Sequence, residues 1–506
     1  MSTGTYSLDG WTLDLLQRSA QHFRHSGQQA YLVGGSVRNL LLHAPCADWD
    51  ITTGGDTPRL ARRLANALGG SYVHMHDKAC RVIVKHKQQE MTIDVSPING
   101  NTIEEDLHAR DFTLNALALP LDNAIQHLTA GEPLALIDPL HGADDLAAHL
   151  LRAVNDTIFL HDPVRMLRAV RLMARYQFTI EPHTAEMLTR DAPLLKRAAS
   201  ERVHDELYAI LKLDGATAHL RFLDQHGLFT TLFPEFIPAR GMPQPSLHYW
   251  DVLEHSLETV GALELLATVC QQTPEQLRHS SLDPAGQGDL AEIQALLLEA
   301  ERQDIFTLAA IATPVMKMAA LLHDIGKTVT YTVDDEGAIH FYHHPQEGIP
   351  LAQQIMRRLS ASMRDRRLVQ QVVAHHMRPG QLSHDVLTVR ATRRFFVDLG
   401  PSGINVILIA LADHLAMRGP EALTDAWSRH LATTRLLLSR YIRERESILP
   451  PRLIQPEELI RHLHLERGPI IGELLEYIAE AQADGLIHSK EEALWFAEEK
   501  IQQLHQ

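Results

Sequence analysis

Three aspartates set in short apolar runs are the first candidates for chemistry in this chain. Asp48 and Asp50 stand two apart in DWDIT, and Asp94 lies in IDVSP. Residues i and i+2 of a strand project to one face, so Asp48 and Asp50 point the same way. Close carboxylates that both stay ionised need a counterion, and oxygen-only ligands suit magnesium. Upstream, Tyr31-Leu32-Val33 reads as a buried strand ended by Gly34-Gly35, and Ser36 to His43 is helical in pattern. The glycine pair lets backbone N–H groups approach a phosphate, and the helix start adds a positive dipole end. A phosphate cradle beside metal-binding carboxylates suits a nucleotide reaction. Asp94, on a neighbouring strand, would complete the site. Standing alone it would read as an exposed strand-edge acid.

A second set of candidates lies in the middle of the chain, which holds 31 histidines in all. His255 sits in WDVLEHSLETV, His323-Asp324 in LLHDIGK, His344 in YHHPQEG, His375-His376 in VVAHHMRP and Asp413 in ALADHLAMRG. Imidazole nitrogens mixed with carboxylate oxygens suit transition metals more than magnesium. Each histidine alone reads more readily as a surface or hydrogen-bonded residue than as a ligand. Their recurrence is the signal.

Elements that could position these groups follow from the pattern. Leu13 to Phe23 reads as an amphipathic helix, and Pro58 to Leu68 as another, stopped by Gly69-Gly70. Arg81 to Lys85 and Met91 to Ser96 read as paired strands about a polar turn. EEDLHARDFTLNALA (Glu104 to Ala118) carries the pair Arg110-Asp111 ahead of a buried helix. From Leu146 the pattern is helical almost to Leu213. Within it Asp162 and Arg165, at i and i+3, share a helix face, and an intrahelical salt bridge is the default reading of such a pair. Pro234 to Pro245, PEFIPARGMPQP, reads as a linker, and Gln271 to Asp289 as a polar surface loop. The tail from about Pro456 is helical.

Composition sets outer limits. A chain of 506 residues should hold several domains, each with its own core. No apolar run reaches transmembrane length, which argues against a membrane partner. Cys46, Cys80 and Cys270 form neither a disulfide framework nor a zinc pattern, which fits a reducing cytoplasm. The formal charge of −16 does not advertise a nucleic-acid binder, although binding depends on where basic residues cluster.

The pieces GGSVRN, DWDIT, IDVSP, EEDLHARDFTLNALA, LIDPLHG, and DPVRMLRAVRL followed by ERVHDEL occur in this order from Tyr31 to about Lys212. In that order they resemble the class II tRNA nucleotidyltransferases and their relatives, the bacterial poly(A) polymerases. The resemblance implies that Asp48 and Asp50 hold two magnesium ions, with Asp94 as the third acid. It places Gly34, Gly35 and Arg38 around the triphosphate, and Arg110, Asp111 and Asn115 at the ribose. Arg168 joins the nucleotide-binding set. Asp162 and Arg165 would read the base edge: arginine donates to a ring acceptor and aspartate accepts from an amino group, a pattern that cytosine and adenine share. Three positions depart from the family: Asn39 for aspartate, Ala109 for arginine and His161 for an acid. Only Ser96 to Thr102 separates the Asp94 strand from EEDL. Family members that add the terminal A carry a longer flexible loop there, so the short stretch resembles the CC-adding subgroup.

The later order His, His-Asp, His, His-His, Asp resembles the HD metal-dependent phosphohydrolases, an all-helical fold. That resemblance implies a first metal on His255, His323, Asp324 and Asp413. A second would take His344 and one of His375 or His376, and Lys327 would face a phosphate. The expected architecture is multidomain α+β. A small nucleotidyltransferase head with a mostly antiparallel sheet (1–145) precedes a helical neck (146–235), the HD domain (246–420) and a helical tail (421–506). The expected activity is template-free addition of CC or CCA to a tRNA 3′ end from CTP and ATP, with phosphodiesterase or phosphatase activity in the HD domain. The competing readings are a poly(A) polymerase, and a phosphohydrolase whose head only binds RNA.

Overall fold

The computed structural model describes residues 8–46, 48–75, 79–87, 89–272, 284–419, 425–449, 451–483 and 485–504. The chain divides into two compact units. One runs to Ala198 and includes His226–Leu228; the other holds Ala199–Gln225 and the chain from Phe229 onward.

The first unit is built on a six-stranded sheet. Its strands are β1 (Ala30–Val33), β2 (Asp48–Thr53), β3 (Ser71–His74), β4 (Cys80–His86), β5 (Gln89–Pro97) and β6 (Ala118–Pro120). Their spatial order is β3-β4-β5-β2-β1-β6. Only β2 and β5 run parallel, in a register that sets Asp50 opposite Asp94. Every other neighbouring pair is antiparallel. Helix α1 (Gly10–His25) is capped by Asp9, whose carboxylate accepts from the Trp11 and Thr12 N–H groups. Helix α2 (Gly35–Leu41) follows β1. Helix α3 (Thr57–Leu68) opens on Pro58 and ends at Gly69, where φ is +72°. Leu15, Phe23, Trp49, Ile51, Leu64 and Ile93 share one core cluster. Trp49 and Ile51 are fully buried, and each such side chain contributes about 1.5–3 kcal/mol. A one-residue slip of β2 would exchange them for carboxylates, so the register is strongly fixed.

Four expectations change in this unit and the stretch after it. No buried helix follows Arg110-Asp111: the helix Ile103–His108 precedes the pair, and only a 3-10 turn, Thr113–Asn115, separates it from β6. The region from Leu146 is not continuously helical: Leu150–Leu151 (β7) and Thr179–Ile180 (β8) form a short parallel pair. Asp162 lies on no helix. It ends α4 (Ile158–His161) in an extended conformation, φ −145° and ψ 93°, before α5 (Val164–Tyr176) begins. Pro163 favours the break, because a proline ring crowds its predecessor and disfavours the helical region there. The stretch Pro234 to Pro245 is not an open linker. Phe236 and Ala239 are fully buried in the second unit, and Phe236 packs on Phe229 and Phe233.

The second unit is helical. Its centre packs α6 (Val252–Gln271), α7 (Pro314–Leu322), α8 (His344–Arg358), α9 (Met363–His375) and α10 (Ser402–Met417) against one another. Helix α11 (Asp425–Arg443) lies on α10. The unit is not purely helical, because β9 (Tyr331–Val333) and β10 (Ile339–Phe341) form a hairpin. Of the expected loop Gln271 to Asp289, residues 273–283 lie outside the described residues. The rest is not loop: Gln271 ends α6, and Pro284–Arg302 is a helix. The tail helices Pro456–Leu463, Pro469–Ala483 and Lys490–Leu504 bury Leu459, Leu474 and Ala493 in a core of their own. Among the described residues no single helix is long and apolar enough to cross a membrane.

Candidate active site and metal centre

In the first unit the alternation of β2 buries Trp49 and Ile51, which leaves Asp48 and Asp50 on the opposite face. Ser36, at the start of α2, ties this strand down. Its hydroxyl donates to the Asp48 carbonyl at 3.3 Å and accepts from the Asp50 N–H at 2.7 Å. Burial, and then Asp94 alongside, pushes the Asp50 carboxyl up to about 6. That carboxylate is short of positive charge, and a divalent cation on this face would supply it. The donor set is all oxygen, so the residues present fit magnesium. Asp94 is gripped by the Arg81 guanidinium through Nε and Nη2, both at 2.8 Å.

The glycine pair lies directly against these groups. Gly34 has φ +62°, and a Cβ there would stand 2.9 Å from Arg110 Nη1 and 3.7 Å from Asp50 Oδ2. A Cβ on Gly35 would meet Arg38 Nη2 at 3.4 Å and Asp50 Oδ2 at 3.5 Å. At Gly34 the left-handed φ and the close Arg110 fork both disfavour a side chain, while at Gly35 a Cβ would just touch the acid and Arg38. Arg110 is held in place by Asp106, to which its Nε and Nη2 donate at 3.0 and 2.8 Å.

Beside the pair runs a hydrogen-bonded chain. Arg168 pairs with Asp111 at 2.8 Å, and the Asn115 amide donates to Asp111 at 3.0 Å. Arg38 Nη1 donates to Asn115 Oδ1 at 2.6 Å, and Arg38 also donates to Asn39 Oδ1 and to the Tyr176 hydroxyl. Burial pushes the Asp111 carboxyl up, but Arg168 and the Asn115 and Phe112 N–H groups outweigh it and hold it below the usual carboxylate range. Arg38 is buried, and among the described residues its hydrogen-bond acceptors are all neutral. Its charge is therefore left for an anionic ligand. Asp162 and Arg165 also come together, Oδ2 to Nε at 3.7 Å, despite the break between α4 and α5. The Arg165 fork donates to the carbonyls of Arg110 and Ala109, each at 3.3 Å. Tyr176, Arg81 and Asp106 escape sequence reasoning, because each acts through a partner far away or hidden in an ordinary acid–base pattern.

The second unit gathers the histidines. His255 Nε2 lies 3.0 Å from Asp413 Oδ1 and 3.6 Å from Asp324 Oδ2, and His323 Nε2 lies 3.3 Å from Asp324 Oδ2. His344 and His376 approach the other oxygen of Asp324, Oδ1, at 3.2 and 3.3 Å. Among the described residues, donor groups within 4.8 Å of one another form two sets, His255-His323-Asp324 and Asp324-His344-His376. Both sets share Asp324. The rings are aimed from behind: Nδ1 of His323, His344 and His376 faces the carbonyls of Ala320, Phe341 and Val373 at 2.7, 2.9 and 3.0 Å. Backbone acceptors there turn each Nε2 inward, the usual support for a metal-binding imidazole. The His344 and His376 Nε2 atoms stand 3.4 Å apart. Asp324 Oδ1 and His323 Nε2 are buried without a hydrogen-bond partner. Convergent lone pairs of this kind fit a divalent cation. His375, the neighbour of His376, is in neither set.

Burial pushes the Asp324 carboxyl up, yet Lys327 and His323 hold it well below its usual range. Lys327 Nζ lies 2.6 Å from Asp324 Oδ2 and donates to Gln244 Oε1 at 2.7 Å. Gly326 makes the assembly possible. A Cβ on it would fall 1.9 Å from the His344 carbonyl oxygen, so the turn bearing Asp324 and Lys327 can press onto the start of α8 only as glycine. A cavity of about 380 Å³ opens beside the cluster and brings in His248, His414 and His430, which sequence spacing did not single out. Burial, then Lys327, pushes His248 down to about 3; burial, then His414, pushes His430 down to about 4.

Three family models match the chain. Residues 30–152 match the family model of the poly A polymerase head domain, 177–240 that of the probable RNA and SrmB-binding site of polymerase A, and 305–418 the HD domain. An A-adding tRNA nucleotidyltransferase of Deinococcus radiodurans is 31% identical over 476 residues, covering 93% of this chain and 95% of the relative. A CC-adding tRNA nucleotidyltransferase of Thermus thermophilus is 31% identical over 484 residues, covering 93% and 94%. Among solved structures, the Thermotoga maritima CCA-adding enzyme complexed with tRNA superposes with a TM-score of 0.57 at 21% identity, over 98% of this chain and 96% of that one. A CCA-adding enzyme with CTP reaches 0.61 at 21% identity, over 99% and 97%. These superpositions establish the fold: a nucleotidyltransferase head with a mostly antiparallel sheet, a helical body and an HD domain.

Proposed function

The chain belongs to the tRNA nucleotidyltransferase family, and from that premise we propose that it adds cytidylates to a tRNA 3′ end and stops after the second. Nucleotidyl transfer itself comes with the family. The stop at CC is the finer reading, and one observation carries it. The connection between β5 and the helix Ile103–His108 is short and pinned at Ile98, Asn99 and Asn101. Ile98 N–H donates to the Thr53 carbonyl at 3.1 Å, Asn99 N–H to Asp106 at 2.9 Å and Asn101 N–H to Glu105 at 2.7 Å. A segment fastened this way has no slack to rearrange when the nucleotide changes from CTP to ATP. Relatives described as CC-adding and as A-adding are equally similar, so overall identity does not separate the two outcomes.

In the mechanism the tRNA 3′-hydroxyl attacks the α-phosphorus of CTP in line, a P–O bond forms to the primer, and pyrophosphate leaves. Asp48 and Asp50, with Asp94 beside them, would hold the magnesium ions, which when bound would supply Lewis-acid activation of the hydroxyl and charge neutralisation at the leaving group. Gly34 and Gly35 let the triphosphate reach backbone N–H groups, and Arg38 and Arg110 meet its charge. Asp111 and Asn115 hold the ribose, steadied by Arg168. Asp162 and Arg165 select an acceptor-plus-amino base edge. Arg81 keeps the Asp94 carboxylate turned to the site.

The second site supports a second activity, hydrolysis of a phosphoester at the HD cluster. His255, His323, Asp324 and Asp413 would hold one divalent transition metal and Asp324, His344 and His376 another, with Lys327 against the phosphate. A bound metal supplies an activated water.

The deciding experiment incubates purified protein and magnesium with tRNA transcripts ending before CCA or at CC, with CTP, ATP or both. Two added C residues and no A support the reading. Completion to CCA overturns the stop at CC, and long A tails on unrelated RNA would make the protein a poly(A) polymerase.

A further inference from the structure

The hairpin β9–β10 joins the Lys327 turn to His344, and it is wired into the metal cluster at both ends. Lys327 Nζ sits 5.4 Å over the Phe341 ring, and the Phe341 carbonyl faces His344 Nδ1 at 2.9 Å. Phe341 therefore touches the phosphate-facing lysine with its ring and a metal-binding imidazole with its backbone. One residue on, Tyr342 is 64% exposed. Its ring is stacked on His340 at 4.9 Å between centroids and 15° between planes. His340 is itself anchored, with Nε2 2.7 Å from Asp334 Oδ2. His340, Phe341 and Tyr342 all line the cavity of about 380 Å³ that contains Asp324 and Lys327.

This cavity is far larger than a phosphate needs. Away from the metal cluster its wall carries Pro245, Ile339, Met377, Ala410 and Met417, along with His248, His414 and His430. A site for small, wholly polar phosphoesters gains nothing from the apolar part of such a wall. A pocket with a charged end, a middle of apolar side chains and imidazoles, and an exposed, backed aromatic ring matches a phosphoester that carries a planar ring.

We propose that the His340–Tyr342 stack is a nucleobase platform. A nucleoside phosphate docks with its phosphate at the Asp324–Lys327 end and its base on the open face of Tyr342. The hairpin thereby selects nucleoside phosphates over simple phosphoesters. This rests on the HD reading above and adds to it the residues that choose the substrate. Tyr342 acts here by stacking, so its ring matters and its hydroxyl does not.

The test uses the full-length, metal-loaded protein. Guanosine 3′-phosphorothioate is the probe, since it resists hydrolysis and guanine lacks the base edge that the head is proposed to read. Its dissociation constant is measured by equilibrium dialysis beside that of inorganic phosphate, and metal content is measured separately by elemental analysis. Tyr342→Ala is expected to weaken the nucleotide about fivefold or more, the scale of one lost base–aromatic stack, with phosphate binding and metal content unchanged. Tyr342→Phe is expected to restore binding. Equal nucleotide affinity in wild type and Tyr342→Ala would overturn the platform while leaving the metal site standing. A His323→Ala protein with the metal content of the wild type would overturn the HD reading and the platform with it.

Discussion

Tyr176 is where the network around Arg38 is most exposed to test. Its hydroxyl accepts from Arg38 Nη2 at 2.8 Å and donates to Asn39 Oδ1 at 2.9 Å, and the Arg38 guanidinium lies 4.5 Å from the ring centroid. Tyr176→Phe keeps the ring and removes both hydrogen bonds. Each is worth about 0.5–1.5 kcal/mol net, with the charged one at the upper end. Arg38 retains Asn115 and Asn39, so it stays folded in but is less firmly aimed. A loss of about 1–2 kcal/mol in nucleotide binding corresponds to a rise of roughly 5- to 30-fold in the KM for CTP. The kcat should change little, because the acids that hold the cations are untouched. Steady-state addition to a tRNA transcript, with the CTP concentration varied, reads both constants. Tyr176→Leu, which also removes the ring, should raise KM further. An unchanged KM together with a lowered melting temperature would show that Tyr176 only packs, and would refute its role in aiming Arg38.

Other outcomes follow from the two sites. Asp50→Ala should abolish nucleotide addition and leave metal-dependent phosphate release intact; surviving addition would mean that the acids are misassigned. Asp324→Asn should do the reverse, and should reduce bound transition metal below the wild-type stoichiometry in elemental analysis, because both donor sets share that residue. Gly326→Ala should destabilise the second unit by several kcal/mol or displace α8, since its methyl group would sit 1.9 Å from the His344 carbonyl oxygen; denaturant unfolding checks it. Lys317→Met should cost about 3–5 kcal/mol in the same assay by leaving Glu264, 2.5 Å from the buried ammonium, without its counter-charge and with only the Ala216 N–H.

The parts of both sites visible in the sequence are those encoded locally. Asp48 and Asp50 are legible because a strand alternates every two residues and Trp49 and Ile51 claim the other face. The parallel neighbour that brings Asp94 opposite Asp50 is a long-range pairing, and no local pattern states it. Some signals were present and unused. Pro163 already disfavours a helical Asp162. The choice between His375 and His376 follows from helical phase: Val369, Val372 and Val373 are buried, and position 376 lies seven, four and three residues beyond them, on the same face. Gly326 announces a close approach, but not to what. The misread segment Pro234 to Pro245 shows the opposite failure. Its prolines suggest an open connector, while Phe236 and Ala239 are drawn into a core assembled by residues elsewhere in the chain.

Asn39, where the family usually has aspartate, ties the Arg38 network together. Its Oδ1 accepts from Arg38 and from the Tyr176 hydroxyl, and its Nδ2 donates to the Pro45 carbonyl at 3.2 Å. An amide satisfies all of these at once because it offers an acceptor and a donor on one planar group. A carboxylate in the same place keeps the acceptors but turns a lone pair toward the Pro45 carbonyl. It also pairs its charge with Arg38, so less of the guanidinium field reaches a triphosphate. Asn39→Asp should therefore lower the melting temperature and raise the KM for CTP, with kcat nearly constant. If KM stays at the wild-type value, the neutrality of the network is incidental, and the positive charge over the glycine pair must come chiefly from Arg110, held there by Asp106.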